Sequence, residues 1–396
     1  MHAKLLLVNM EDHISYILND LGEEREKYFN AMSPPIIQTS NFVFPDVEVF
    51  RKSVLTEAKS HVYTRGNNPT VEILRKKVAA LEGTDDALVF ASGAAAIAAT
   101  IMSCVGQGDH VICVRHPYSW TSALLNKYLL RFGVLHDFVD GSNLQAIEKL
   151  VRPTTRLLYL ESPNTFTYEL QDIQACVALA KQHNLLTAID NSYSSPLFQQ
   201  PAKMGVDIVL HSVTKYINGH SDVVAGIVCS SDKIISKMFV DEYMTLGGII
   251  SPHDANLVIR GLRTLPIRME RIQNSTTRIV EQLKGHPRIK RVIYPFIPDF
   301  PQYELAKRQM SGCGGLFTID FDVPDIEFLL QIISKLTRWK IAVSWGGHES
   351  LILPMAALYN LPGRADPHIP WSYVRFYVGL EEPDYLLEDL LNAFGD

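Results

Sequence analysis

Between residues 88 and 229 the chain alternates short apolar runs with amphipathic stretches. The apolar runs have the length of buried strands, and the stretches between them repeat apolar residues at the three- and four-residue spacing of a helix that covers one face. The predicted strands are 88–90, 110–114, 134–138, 157–160, 186–189, 206–210 and 223–229, and helices are predicted at 94–103 and 119–130, near 144–151, and from Asp172. This alternation predicts an α/β fold: a mostly parallel sheet with helices on both faces.

The pattern differs at both ends of the chain. Prolines interrupt the first 60 residues, which predicts an extended arm that needs another surface to lie on, and we expect that surface to be a neighbouring subunit. After the last predicted strand the sequence turns helical, with a long helix at 252–283 kinked or broken at Pro266. Short strands at 315–321 and 341–344 and a closing helix at 385–391 predict a smaller α+β unit. We therefore expect an arm at 1–60, an α/β domain at 61–255 and an α+β domain at 256–396.

Composition narrows the class of protein. The chain has 396 residues, 47% of them apolar and 20% charged, with a formal net charge of -6, which gives no basic footprint for nucleic acid. We see neither a targeting segment nor an apolar stretch long enough to span a bilayer. The five cysteines form no Cys-x-x-Cys pair, so the sequence predicts neither a disulfide framework nor a metal site and favours reduced thiols in a cytoplasm.

The most informative residue is Lys215, which follows the predicted strand 206–210. Ligands of parallel α/β sheets bind beyond the carboxyl ends of the strands. A lysine amine there could form a Schiff base with an aldehyde, and the hydroxyls of Ser212 and Thr214 could hold a phosphate. Pyridoxal phosphate carries both groups. Taken alone, the stretch could equally be a turn with a solvated lysine.

Other strand ends offer matching groups. Gly93 and Ala94 open a helix after a strand, where backbone amides and the positive helix end face an anion, although a simple helix start explains them too. Asp190 could keep a pyridine nitrogen protonated or form a turn. Tyr118 could stack on a flat ring or be an ordinary half-buried aromatic residue.

Two arginines could bind anions. Arg375 interrupts an apolar strand, so it needs an anionic partner when buried, and a substrate carboxylate would supply a bidentate one. Arg65 stands beside Tyr63 in a turn-rich loop, where both could be surface residues or phosphate ligands.

Two other enzyme classes fit poorly. Ser212 and Lys215 also match the Ser-x-x-Lys of serine acyl-enzymes, but the Ser-Asp-Asn and Lys-Thr-Gly motifs of that class do not occur. The thirteen histidines form no His-x-x-x-His pair, which argues against a metal hydrolase.

Longer motifs carry a resemblance to a known family. They are 63–70 (YTRGNNPT), 161–163 (ESP), 189–191 (IDN), 211–222 (HSVTKYINGHSD), 261–265 (GLRTL) and 344–347 (SWGG). With them the chain resembles the Cys/Met-metabolism (trans-sulfuration) family of pyridoxal-phosphate enzymes from about residue 35 to 391. The resemblance implies PLP fold type I, like aspartate aminotransferase, with the cofactor in the α/β domain.

The resemblance also implies a role for each candidate residue. Lys215 would form the Schiff base, Asp190 would pair with the pyridine nitrogen, and Tyr118 would stack on the ring. Catalytic roles fall to Lys215, Tyr118 and Tyr63. The implied phosphate ligands are Ser212, Thr214, Gly93 and Ala94, joined by Tyr63 and Arg65 of a neighbouring subunit, and the implied substrate-binding residues are Arg375, Ser344 and Trp345. Sites shared in this way require at least a dimer, and the resemblance implies a homotetramer built as a dimer of dimers.

Four departures bear on the substrate. Methionine γ-lyases have cysteine at the position of Trp120. Most γ-type members have leucine at the position of Trp345, whereas a tryptophan there is similar to bacterial cystathionine β-lyases. Residues 164–167 lack the Asn-Pro that follows Glu-Ser-Pro in many γ-type members, and β-lyases share this loss. His348 matches neither the β-lyase pattern nor the γ-type pattern well. We therefore expect β-elimination of cystathionine to homocysteine, pyruvate and ammonia. Cystathionine γ-lyase, methionine γ-lyase and cystathionine γ-synthase remain the alternatives.

Overall fold

The computed structural model describes residues 13–362 and 366–395. The strands are β1 (Asp86–Phe90), β2 (His110–Val114), β3 (Leu135–Val139), β4 (Thr155–Glu161), β5 (Leu186–Asp190), β6 (Ile208–Ser212), β7 (Gly226–Ser230), β8 (Ile289–Ile293), β9 (Leu316–Phe321), β10 (Lys340–Ile341), β11 (Leu351–Pro354) and β12 (Tyr373–Tyr377). The α-helices are α1 (Ile14–Asn19), α2 (Val47–Leu55), α3 (Pro69–Glu82), α4 (Gly93–Cys104), α5 (Ser119–Ala123), α6 (Leu144–Lys149), α7 (Ile173–Gln182), α8 (Ser195–Phe198), α9 (Asp232–Met238), α10 (Met244–Leu246), α11 (Pro252–Arg263), α12 (Leu265–Gln282), α13 (Tyr303–Gln309), α14 (Ile326–Lys335) and α15 (Pro383–Phe394).

A seven-stranded sheet forms the larger part of the fold. Its order is β1-β7-β6-β5-β4-β2-β3, and β7 runs antiparallel to both of its neighbours, whereas the pairings from β6 through β3 are parallel. The mostly parallel sheet predicted from the sequence is confirmed. Its parallel strands β6, β5 and β4 bring Ser212, Asp190 and Glu161 to the same edge.

Apolar residues fill both faces of this sheet. Leu157 and Leu210 face one side with Ile97 of α4, and Leu158 faces the other side with Cys176 of α7. Because these strands are buried on both faces, they read as continuous apolar runs rather than as alternating patterns. This double burial explains why the strands are visible in the sequence.

A second sheet of five strands has the order β10-β11-β12-β9-β8. β12, which carries Arg375, lies between β11 and β9 and is antiparallel to both. The predicted long helix is broken at Thr264 into α11 and α12, with Pro266 in the first turn of α12. A proline is tolerated there because its missing amide has no partner within the helix in any case.

Three predicted elements differ from the structure. The strand predicted at 341–344 ends at Ile341, because Ser344 takes a left-handed conformation (φ 77°) that no strand allows. The strand predicted at 223–229 begins only at Gly226, since Ala225 instead accepts a hydrogen bond from the Thr214 amide (3.2 Å). The helix predicted at 119–130 is an α-helix only in α5 and continues as π and 3-10 turns to residue 132.

The predicted arm divides into two parts, and its residues 1–12 lie outside the described residues. α1 packs on α3 of its own chain, where the buried Lys77 ammonium donates to the carbonyls of Ile17 (3.0 Å) and Leu18 (3.1 Å) and pairs with buried Glu23 (3.1 Å). Further along, the chain is open to solvent, with Val43 95% and Leu55 85% exposed.

One apolar core joins the two sheets. It contains Val213 beyond β6, Ile259 of α11 and Phe317 of β9, so α11 shares its core with both. We propose that the boundary between the α/β domain and the α+β domain lies at about residue 255, in the first turn of α11. Across the described ranges, every helix is too short or too polar to cross a membrane.

Candidate active site

Lys215 lies in a tight turn directly after β6. Its amide donates to the Ser212 carbonyl (3.1 Å), and its own carbonyl accepts from the Gly219 amide (2.8 Å). The buried Arg268 guanidinium donates to the Tyr216 carbonyl (2.8 Å) and so holds the turn from the side of α12. This double anchoring fixes the backbone from which the lysine side chain extends.

The Lys215 amine is held between two neighbours from a distant loop. It donates a hydrogen bond to the Ser344 hydroxyl and lies 5.3 Å from the centre of the Trp345 ring. Burial lowers the pKa of Lys215 to about 8, and the nearby positive charge of Arg375 acts in the same direction. The charge of Asp190 acts in the opposite direction. The amine is therefore partly neutral near pH 8 and able to accept a proton.

The loop 344–347 fits closely over the lysine turn. A Cβ atom on Gly346, whose φ is 95°, would lie 2.7 Å from the Lys215 Cα, so only glycine allows this approach. Arg375 reaches the same loop from β12 and donates to the Ser344 carbonyl (3.1 Å). Lys215, Ser344, Trp345 and Arg375 thus form one contiguous group.

The Arg375 side chain is buried but carries unused hydrogen-bond donors. Burial lowers the pKa of its guanidinium to about 10, opposed by the nearby Tyr168 hydroxyl. Its Cζ lies 5.0 Å from the ring centre of Phe166. Among the residues that the structure describes, none places a carboxylate against this guanidinium. A buried cation with free donors is a suitable site for a carboxylate ligand.

Two buried carboxyl groups face each other at the ends of β5 and β4. Asp190 accepts from the Ser192 amide (3.0 Å), and Glu161, opposite it in register, accepts from the Tyr118 amide (2.7 Å) and the Thr165 hydroxyl (3.2 Å). Burial raises the pKa of Asp190, partly offset by Ser192, His211 and Lys215. Burial and the charge of Asp190 raise the pKa of Glu161 to about 8. One carboxyl of the pair therefore keeps its proton near neutral pH.

The start of α4 forms a narrow cradle beside β6. A Cβ atom on Gly93 would lie 2.9 Å from the Ser212 Oγ, so a larger residue would close the gap. Ser92 caps the helix by accepting from the Ala95 amide (3.0 Å), which leaves the amides of Gly93 and Ala94 at the positive helix end. The Thr214 hydroxyl donates to the Ala225 carbonyl (3.2 Å).

The structure places the remaining predicted residues less centrally. Tyr118 is 42% exposed beside the carboxyl pair, and burial of the rest of its side chain, with the charges of Asp190 and Glu161, raises the pKa of its phenol. Tyr63 and Arg65 lie elsewhere, beside a cavity of about 580 Å³ lined also by Gly247 and Ser251. The Arg65 guanidinium rests 5.6 Å from the Tyr63 ring centre. The described residues that line this cavity include neither Lys215 nor Arg375.

These groups suit pyridoxal phosphate. A buried carboxylate, a mostly buried lysine and a glycine-lined helix start correspond to its pyridine nitrogen, its aldehyde and its phosphate. The family model for Cys/Met metabolism PLP-dependent enzymes matches residues 17–395. The chain belongs to this family. The cofactor and the fold type that the resemblance implied are thereby confirmed.

Three individual proteins show how similar the chain is to enzymes of this kind. The chain is 40% identical to the L-methionine γ-lyase of Pseudomonas deceptionensis over 92% of both chains. It is 35% identical to the cystathionine β-lyase of Lactococcus lactis subsp. cremoris, over 94% of this chain and 96% of that one. The crystal structure of metB from Corynebacterium glutamicum superposes with a TM-score of 0.90 at 31% identity, covering 97% of this chain and 98% of the other. The expected class, a lyase of sulfur amino-acid metabolism, is confirmed at this level.

The sequence motifs gave no role to Glu161 or Phe166, which the structure brings into the site of this family member. Glu161 could have been found from its place at a strand end beside the strand of Asp190, since neighbouring parallel strands end at one edge. Phe166 had no such signal, because only the tertiary structure brings it to Arg375. Trp120 is 64% exposed, and the largely exposed His348 imidazole pairs with Glu349 (3.2 Å).

Proposed function

We propose that this family member cleaves a carbon–sulfur bond by β-elimination, with cystathionine and one water giving homocysteine, pyruvate and ammonia. The observation that carries the proposal is the position of Trp345 and Ser344 against the Lys215 amine. The indole and the hydroxyl hold the amine on two sides and so restrict its movement. β-Elimination needs one proton removed, at Cα, whereas γ-elimination needs a further transfer at Cβ.

Each residue of the group has a task in this reaction. Pyridoxal phosphate, when bound, supplies an aldehyde for the substrate amine and an electron sink for the charge formed at Cα. Lys215, with a pKa of about 8, removes the Cα proton in its neutral form. Arg375 binds the substrate α-carboxylate with its unused donors and sets the Cα–H bond toward the amine.

Other residues would hold the cofactor. Asp190 would pair with the pyridine nitrogen, Tyr118 would cover the ring, and the amides of Gly93 and Ala94 with Ser212 would bind the phosphate. Thr214 would join them by turning its hydroxyl from Ala225. These roles agree with the burial of Asp190 and with the close contact between Gly93 and Ser212.

We further propose that a second copy of the chain completes the site within a homotetramer. Tyr63 and Arg65 would reach the phosphate of a neighbouring subunit, which fits their position beside a separate cavity. The exposed apolar residues of the arm, including Val43 and Leu55, would be covered in this assembly.

γ-Elimination of methionine is the second candidate. Its support is the 40% identity to the Pseudomonas deceptionensis methionine γ-lyase, against 35% to the Lactococcus lactis cystathionine β-lyase. In favour of β-elimination, Trp120 replaces the cysteine of methionine γ-lyases and Trp345 replaces the leucine of most γ-type enzymes. The two candidates differ in which carbon loses sulfur.

Product analysis separates these reactions. Purified holoenzyme incubated with cystathionine should release pyruvate and homocysteine, and K215A should release neither. 2-Oxobutyrate and cysteine from cystathionine, or 2-oxobutyrate and methanethiol from methionine, would move the assignment to a γ-lyase. If neither substrate is cleaved, a synthase acting on an activated homoserine ester becomes the leading function.

A further inference from the structure

Phe166 lies against the guanidinium of Arg375, in the stretch 164–167 where the sequence departs from the family pattern. The Arg375 Cζ is 5.0 Å from the ring centre, within the range of a cation–π contact. Phe166 is half-buried, and Arg375 is 6% exposed. The ring therefore covers the guanidinium where little water reaches it, which is where such a contact is strongest.

The backbone around Phe166 is fixed on both sides. The Asn164 side-chain oxygen accepts from the amides of Phe166 (3.4 Å) and Tyr168 (2.9 Å). The Phe166 carbonyl accepts from the Thr318 hydroxyl (3.0 Å), and Thr318 lies opposite Arg375 in the β9–β12 pairing. The Phe166 backbone is thus tied to the same sheet that carries the arginine.

The guanidinium of Arg375 keeps hydrogen-bond donors for a ligand beside this contact. Of its five N–H donors, one is used by the Ser344 carbonyl (3.1 Å) among the described residues. We propose that Phe166 is a positioning residue for the substrate carboxylate. It fixes the plane of the Arg375 guanidinium and keeps water from that side, so that the remaining donors meet the carboxylate in a bidentate pair. This inference rests on the proposed role of Arg375 in binding the substrate.

Two small ligands isolate this effect in the holoenzyme. L-Alanine and ethylamine both present an amine to the cofactor, but only alanine has a carboxylate, and neither has a sulfur to eliminate. Titration by visible absorption should show that F166L weakens alanine binding roughly 2- to 12-fold, because the Arg375 side chain must then be ordered when the ligand binds. Ethylamine binding should change less than twofold. F166Y should restore alanine binding, and F166M should behave like F166L.

Phe198 provides a matched control, because it is half-buried against the same core but lines a cavity that Arg375 does not line. F198L should leave the ratio of alanine to ethylamine affinity unchanged. For the elimination itself, F166L should raise KM with kcat nearly constant.

Each other outcome has a distinct meaning. Equal weakening of both ligands, or of neither, overturns the positioning role of Phe166. A wild-type protein that binds alanine no better than ethylamine overturns the carboxylate site at Arg375 and the inference with it. Failure to cleave any thioether overturns the proposed reaction alone, since the titrations need no cleavage.

Discussion

At the scale of the residue, the site is built from ionisable groups that burial pushes away from their usual charge. Asp190 and Glu161 have raised pKa values, whereas the pKa values of Lys215 and Arg375 are lowered. In each case removal from water disfavours the charged form. In our proposal the cofactor and the substrate bring a pyridinium and a carboxylate to these groups, so the protein holds the complementary charges at a cost in stability.

Glu161 makes this cost measurable. Its folded pKa of about 8 exceeds the unfolded value of 4.5, so the stabilising proton is fully bound below pH 4.5 and is lost as pH rises through 8. Each tenfold difference in proton affinity is worth about 1.4 kcal/mol, so the protein without cofactor should lose a few kcal/mol of unfolding free energy between pH 5 and pH 8. E161Q should flatten the slope of unfolding free energy against pH, because glutamine stays neutral. Urea unfolding at several pH values measures it.

The control for this experiment is Glu304, which is exposed on α13. E304Q should keep the wild-type slope. An E161Q protein with the wild-type slope would show that Glu161 does not hold the extra proton.

At the scale of the element, we expect catalysis to depend on how the loop 344–347 packs on the lysine turn. Gly346 takes φ 95° and lies where a Cβ would meet the Lys215 backbone at 2.7 Å. G346A should therefore lower kcat/KM at least tenfold, because the loop must move and Ser344 with it. Steady-state kinetics with the cleaved thioether measures the loss.

Gly285 is a control that has the backbone strain of Gly346 without its close contact. Its φ is 77°, but nothing lies within 4 Å of a Cβ placed there. G285A should cost about 1–2 kcal/mol of stability at unchanged kcat/KM. If G346A is as active as G285A, the close fit of the loop is not required for catalysis.

A second element-scale prediction concerns the attachment of α1 to α3. Lys77 is buried with Glu23 and also binds the carbonyls of Ile17 and Leu18. K77M should lower the unfolding free energy by about 2–4 kcal/mol, because it leaves buried acceptors without their donor. Proteolysis should then cut the N-terminal segment faster. Urea unfolding and limited proteolysis measure the two effects.

The neighbouring Lys76 is a matched control. It is 44% exposed and pairs with Glu72 four residues earlier, a contact worth less than about 0.5 kcal/mol. K76M should be nearly as stable as the wild type. Equal losses in both variants would contradict the anchoring role of Lys77.

At the scale of the whole molecule, the site draws on both sheets and, in our proposal, on two chains. Lys215 and Asp190 come from the seven-stranded sheet and Arg375 from the five-stranded one, while Tyr63 and Arg65 lie at a separate cavity. This separation predicts complementation between inactive subunits.

K215A and R65A should each have low activity as pure proteins, the second through weak cofactor binding. Mixed oligomers made by co-expression should regain activity, because an intact Arg65 of one chain then meets an intact Lys215 of another. Cleavage assays on the purified hybrids measure the recovery. Hybrids no more active than the parents would place Arg65 and Lys215 outside a shared site.

The sequence by itself determined the fold class, the family and the cofactor. Strands buried on both faces read as apolar runs, and the turn after β6 carries the motif around Lys215, so both signals are local. The helix break beside Pro266 was also predictable, because proline cannot continue a helix from the preceding turn but is well tolerated in the first turn of a new one.

Only the tertiary structure decided what surrounds these residues. The left-handed turn at Ser344, the covering of Arg375 by Phe166 and the pairing of Glu161 with Asp190 join segments far apart in the chain. No local pattern encodes such contacts, since a side chain's charge and orientation depend on which distant atoms exclude water from it. The cofactor can therefore be predicted from the sequence, whereas the group formed by Lys215, Ser344 and Arg375 comes together only when the two sheets pack against each other.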